Sequence, residues 1–407
     1  MRRSAIGAAI AGVALWIGLG GIATAQSEAA SETGDEADIP TSPDVLFWTQ
    51  RQRDYAFRRM ENFGPVRVIE RGEEVRELPQ GAPLDLSDLR LGGRPWTLDE
   101  YLEDQRAAGI VVLQHGRVRL ERYRMGADAG ARWTSFSVAK SLTSTLVGAA
   151  IADGHIGSLD DPVTQYIPDL AGSGYDGVTV RQLITMTSGV RWNEDYTDPD
   201  SDVARFNNVE PEPGADPLVT YMRRLPREAE PGTRWLYNTG ETSLVGILVA
   251  NATGRPLAQY LSEQIWAPFG MERDGVWILN AGGSEIGGCC ISASVRDYAR
   301  FGQFVLEGGE IGGERVVPQG WFEAAGTMQA DIGAPGRGYG YLWWTFDDGT
   351  FAARGIFGQG IFIDPSRGLV IASNGDWPTA TSRELNPRRD AFYREVIRTI
   401  DAEGAGE

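Results

Sequence analysis

"SVAKSLTSTLVGAAIADG", residues 137–154, is the stretch on which the fold turns. It is rich in alanine, leucine and small residues, stops at Gly154, and carries little charge apart from Lys140. A segment that is apolar on nearly all sides predicts a helix at the centre of a domain rather than on its surface. Ser137 and Lys140 stand three apart at its start, a spacing that puts both side chains on one face. Lys140 is also the sole lysine of the chain. Every other cationic residue among the 38 Lys plus Arg is arginine.

That exception has chemical content. A serine hydroxyl is a weak nucleophile until a base takes its proton. Burial lowers a lysine pKa and so makes the amine available as that base. Arginine stays protonated and cannot replace it. The free N–H groups and dipole of a helix start favour negative charge developing near Ser137. The pattern therefore predicts Ser137 as nucleophile and Lys140 as its base.

Working outward, "GIVVLQHGRVRLERYRMG", residues 109–126, predicts two strands around a turn at His115-Gly116. Further helices are expected in residues 179–189, 242–254 and 294–309, with glycine stops. After residue 338 come short apolar runs separated by turn signals, "GYGYLWWTF", "TFAARGIFG", "QGIFIDP" and "GLVIASN", and then an amphipathic helix over 388–403. Strands thus bracket a helical middle. The expected class is α+β: an antiparallel sheet built from both chain ends with an all-helical domain inserted. The expected divisions are a signal peptide (1–25), a flexible acidic lead (26–43), an N-terminal extension with the first strands (44–136), a mainly helical domain (137–285) and the rest of the sheet domain with its terminal helix (286–407).

Composition limits the partners. Hydrophobic residues make up 42% and charged residues 23%, a globular balance, and the net charge is −18. Such a surface repels nucleic acid and anionic membranes. Arg2 and Arg3, the apolar run 5–22 and the small residues Ala23 and Ala25 read as an export leader cut after Ala25. The expected location is the periplasm or exterior of a bacterium, with a membrane role only if the leader stays uncut. The two cysteines, Cys289 and Cys290, are adjacent and read as buried small hydrophobes, because neighbours in sequence close only a strained ring.

The stretch "SFSVAKSLTSTLVGAAIADGHIGSLDDPVTQYIPDL" resembles the serine β-lactamase and penicillin-binding-protein superfamily. The likeness is to its class C-like branch, which includes carboxylesterases and 6-aminohexanoate-dimer hydrolase. "DGVTVRQLITMTSGVRWNEDY", "PGTRWLYNTGETSLVGILVANATGRPL", "CCISASVRDYARFGQFVLEGGEIGGERVVP" and "GYGYLWW" extend it over roughly residues 105–400. The resemblance implies a β-lactamase/transpeptidase-like fold. It also implies a third catalytic residue, Tyr237, in "PGTRWLYNTGE", acting as a partly ionised phenol that relays protons. Asn238 is carried with it as a substrate contact, although it stands one position before the asparagine of the family motif. By order, "TFAARGIFGQGIFIDP" takes the place of the family's Lys-Thr-Gly or His-x-Gly strand. Ala353, Arg354 and Gly355 are the expected oxyanion and substrate contacts there, with Arg354 replacing the missing cation. Trp192, Asn193, Glu194 and Tyr196 are expected in a loop on the cleft rim.

Other chemistries lack their residues. His115 and His155 fall in turns and loops, and no Gly-x-Ser-x-Gly elbow occurs. Two distant histidines and two adjacent cysteines make no zinc site, and the carboxylates of residues 195–202 lack regular calcium spacing. No metal or cofactor is expected. The expected function is a serine hydrolase that cleaves a small-molecule ester or linear amide through an acyl-enzyme on Ser137. The alternatives are a class C-like β-lactamase or D-amino-acid peptidase acting on a lactam or peptide, and a non-catalytic penicillin-binding-like sensor module.

Overall fold

The computed structural model describes residues 39–405 apart from residues 43, 208, 211 and 213. The expected leader and most of the acidic lead lie outside the described residues. Strands β1 (Ala107–Gln114) and β2 (Arg117–Tyr123) form the expected hairpin. His115 and Gly116 join them with φ of 49° and 74°. Two successive positive φ values match the right-handed twist of the flanking strands. His115 is therefore a turn residue, as its position in the sequence implies.

Six more strands follow late in the chain: β3 (Ala330–Asp331), β4 (Arg337–Tyr339), β5 (Trp344–Phe346), β6 (Phe351–Arg354), β7 (Gly360–Asp364) and β8 (Leu369–Gly375). The sheet order is β3-β4-β5-β6-β7-β8-β1-β2, antiparallel throughout, so both chain ends build it, as expected. Its central strands are apolar on both faces because both are covered. Val111, Leu113 and Val370 join one core, and Ile110, Val112 and Ile371 join the other.

Four long helices organise the rest: α1 (Ala139–Ala152), α2 (Thr239–Thr253), α3 (Val295–Leu306) and α4 (Leu385–Gly404). α4 lays Phe392, Val396 and Ile400 on the Ile110 face. α3 lies on the opposite face, and Gly302 lets it approach: a Cβ there would meet Val370 Cγ1 at 2.4 Å. The segment 179–189 is helical only over Val180–Ile184, and Met186 then turns the chain with φ 55°.

A second sheet was not foreseen. Strand Val66–Ile69 pairs with Gly275–Ile278, which pairs with Ile291–Ser294, which pairs with Arg132–Thr134. It knits the N-terminal extension to the strand that enters the turn carrying Ser137. The extension is also anchored by its helix Gln50–Ala56. Arg53 there is buried and pairs with Asp376 at 2.8 Å, donates to Trp48 O at 2.7 Å, and lies 4.7 Å from the Phe357 ring centre.

Candidate active site

Ser137 does not open the helix directly. It sits in a 3-10 turn, Phe136–Val138, between the strand Arg132–Thr134 and α1. Phe136 takes φ 44°, an unfavourable region for a bulky residue. Its ring centre lies 5.0 Å from those of both Phe57 and Phe357, which hold it there. Packing thus sustains a bent backbone just before the serine, as strained functional turns require.

Lys140 rises from the first turn of α1 and is 1% exposed. Its Nζ lies 3.2 Å from Ser137 Oγ, 2.9 Å from Thr239 Oγ1 and 2.8 Å from Gly288 O. Burial pushes its pKa down to about 8, against the opposing charge of Glu194. Glu194 is fixed by four donors: Trp192 Nε1, Tyr196 OH at 2.7 Å, Thr239 N at 3.0 Å and the Thr239 hydroxyl. Because the Thr239 hydroxyl donates to Glu194, its oxygen accepts a hydrogen bond from Lys140. Gly288 O only accepts. Two N–H bonds of a neutral amine meet these two partners, and the lone pair is left facing Ser137 Oγ.

Tyr237 stands beside this pair. Lys140 Nζ is 5.2 Å from its ring centre, and Trp344 stacks on it at 5.6 Å and 18°. Burial, and then the Glu194 charge, push its phenol well above the ordinary tyrosine range, with Ser137 close enough to oppose them. A phenol in that range holds its proton at neutral pH, so of the relay states expected for Tyr237 the environment favours the protonated donor over the partly ionised form.

Ser137 opens into a cavity of about 430 Å³, shared with Tyr196, Thr239, Ile356 and Cys289–Cys290. The two cysteines pack among apolar residues as expected, Cys290 buried beside Phe136 and Trp48, but they are joined in a disulfide on the cavity wall, which was not expected. Among the described residues no cluster of three or more His, Cys, Asp or Glu is arranged to hold a metal, and no helix is long and apolar enough to cross a membrane.

Ser137, Lys140, Tyr237 and Tyr196 come together, and the other expected contacts do not. Trp192 is buried against Phe206 and holds Glu194 from behind the cavity. Asn238 is fully buried and caps α2, its side chain accepting from Glu241 N at 2.9 Å. Its neighbour Thr239 makes the contact with Lys140. Arg354 projects from the opposite face of β6 to pair with Asp390 at 2.7 Å. It is spent in the sheet and cannot supply a cation to the site. Ala353 pairs with Ile361 inside the sheet, and the Gly355 N–H is taken by Gln359 O at 2.8 Å. The cavity instead reaches Ile356, whose N–H has no acceptor among the described residues. Thr239 and Ile356 are the residues that sequence reasoning missed; Glu194 lies in the loop expected on the cleft rim, but its bonds to Thr239 were not foreseen. For Thr239 a signal existed: it stands two after Tyr237, where the family motif has its asparagine.

Comparison with known proteins bears on the family and the fold. The Beta-lactamase family model matches residues 97–392. The 6-aminohexanoate-dimer hydrolase of Paenarthrobacter ureafaciens is 32% identical over 376 residues, covering 88% of this chain and 95% of that protein. Esterase EstB of Burkholderia gladioli is 26% identical over 375 residues, covering 72% and 93%. A Bacillus anthracis structure provisionally called a 6-aminohexanoate-dimer hydrolase superposes with TM-score 0.77 at 24% identity, covering 86% of this chain and 94% of that one. With its α+β fold, its extended family match and a relative aligned over nearly its whole length, this chain belongs to the beta-lactamase family of the β-lactamase and penicillin-binding-protein superfamily.

Proposed function

We propose that the chain is a serine hydrolase that cleaves an ester or linear amide through an acyl-enzyme on Ser137. The observation that carries this reading is the Lys140 amine, buried, satisfied on two sides and turned to Ser137 Oγ at 3.2 Å. In the neutral form it takes the serine proton as Oγ attacks the carbonyl. The backbone N–H groups of Ser137 and Ile356 receive the developing oxyanion, replacing the donors expected at Ala353 to Gly355. Tyr237 protonates the leaving group, Lys140 reprotonates the phenol, and water then hydrolyses the acyl-enzyme. Names of relatives that include an esterase and an amide-cleaving hydrolase support both bond types.

Ser137→Ala should abolish turnover of 4-nitrophenyl acetate and stop labelling by a fluorophosphonate, read as an intact-mass increment. Persistence of either in a folded variant would remove Ser137 from the mechanism. The export reading also stands as a proposal: expression with residues 1–25 in a bacterium should yield extracytoplasmic protein beginning at Gln26.

A further inference from the structure

The cavity above Ser137 has a wall that the catalytic residues do not explain. Leu46, Trp48 and Phe63 come from the N-terminal extension, upstream of the family match at 97–392, and face Ile278, Ile286 and Ile356 from the body. Arg53 and the four-stranded sheet clamp that extension in place. Trp48 and Phe63 stack edge to face at 5.2 Å, so the wall is a packed surface rather than a loose flap.

The wall's charge is as telling as its shape. Among the described lining residues no lysine, arginine or histidine occurs, and Asp44 is the only carboxylate. That carboxylate already accepts from Ser42 Oγ at 2.8 Å. Arg354 is on the far face, paired with Asp390. An anionic group entering the cavity would lose its water and gain no counter-charge from the described lining residues.

Direction follows from Tyr237. It lies outside the lining, in an aromatic group with Trp235, Tyr339 and Trp344. The leaving group departs toward its proton donor, so the cavity faces the other substituent of the scissile carbonyl.

We propose that this cavity is the acyl subsite and takes a flexible, apolar chain without an anionic end, the hexanoyl to octanoyl class rather than acetyl or a dicarboxylic half-ester. The proposal rests on the acyl-enzyme reading above. It makes the extension, and not the catalytic group, the part of the chain that chooses the substrate.

The test is a series of 4-nitrophenyl esters: acetate, butyrate, hexanoate, octanoate, and the adipate mono-ester, which is a hexanoate chain ending in a carboxylate. Burial of the added methylenes should raise kcat/KM at least about tenfold from acetate to hexanoate. The adipate mono-ester should fall to or below acetate. Phe47 lines the same cavity and is 46% exposed, so a polar replacement there leaves the core intact. Phe47→Arg, checked for folding by thermal unfolding, should raise the adipate-to-hexanoate ratio several-fold. Acetate hydrolysis with a flat or falling chain-length profile, or adipate turned over as well as hexanoate, would overturn the subsite while sparing the serine hydrolase. No turnover of any ester together with no fluorophosphonate labelling of Ser137 would overturn both.

Discussion

Glu194 accepts from both the N–H of Thr239, at 3.0 Å, and its hydroxyl, and so decides which way that hydroxyl points. With its own proton committed, Thr239 Oγ1 can only accept from Lys140, at 2.9 Å. A carboxylate that never meets Ser137 thereby orients the amine that does.

Lys140 must be neutral to act, and burial holds its pKa at about 8. The sign is that of a depressed cation: the active form is the deprotonated one, gained as pH rises. kcat/KM for an ester should therefore climb through a midpoint near pH 8. Lys140→Arg keeps the charge and loses the basicity, and should lower kcat by about 10³-fold or more at every pH up to 10.

Replacing Glu194 by glutamine removes the charge that supports protonated Lys140. The midpoint of the pH profile should move below that of the wild type. The rate at the plateau should also drop, because the amide nitrogen cannot accept from the donors that now meet Glu194. A midpoint that stays in place or moves upward would contradict the assigned coupling.

Tyr237 retains its proton, and in the proposed reaction it is the acid. A nitrophenolate leaves without protonation, whereas an amine does not. Tyr237→Phe should therefore cost about 10²-fold on an anilide or linear amide and under about tenfold on the matching nitrophenyl ester. Equal losses on both would point to a structural role.

Glu241 lies beneath the site with its pKa pushed up to about 8, chiefly by burial. The folded state holds a proton that the unfolded chain releases at lower pH, so this group's stabilisation is lost as pH rises toward 8. Glu241→Gln cannot ionise, and its Oε1 can still accept from Ser188 and Tyr175, the present partners. Its margin over wild type in chemical unfolding should grow between pH 5 and 8, reaching about 1–3 kcal/mol.

The nearness of Ser137 and Lys140 was legible because the 3-10 turn that carries the serine runs straight into the helix that carries the lysine, and residues three apart stay on one side through both. The hairpin and the late strands were legible because alternation and turn residues are local. What escaped depends on phase or distance. Periodicity shows that Ala353 and Arg354 face opposite ways, but not which of them faces α1. The Ile356 N–H differs from that of Gly355 only through a bond to Gln359, which belongs to how the loop closes. Trp192 and Glu194 sit in a loop that the family resemblance puts on the cleft rim, and only the fold shows the tryptophan turned to the core. The extension's part in the cavity depends on strand Val66–Ile69 finding Gly275–Ile278 some two hundred residues later.

The near-complete enclosure of Lys140 has a practical corollary. Amine-directed reagents, from succinimidyl dyes to glutaraldehyde, find no ε-amino group on the outside of the native molecule, because the one the chain owns is 1% exposed. Carbamylation or dye uptake at that position would therefore count openings of the catalytic core, giving a chemical clock for breathing motions without any engineered label.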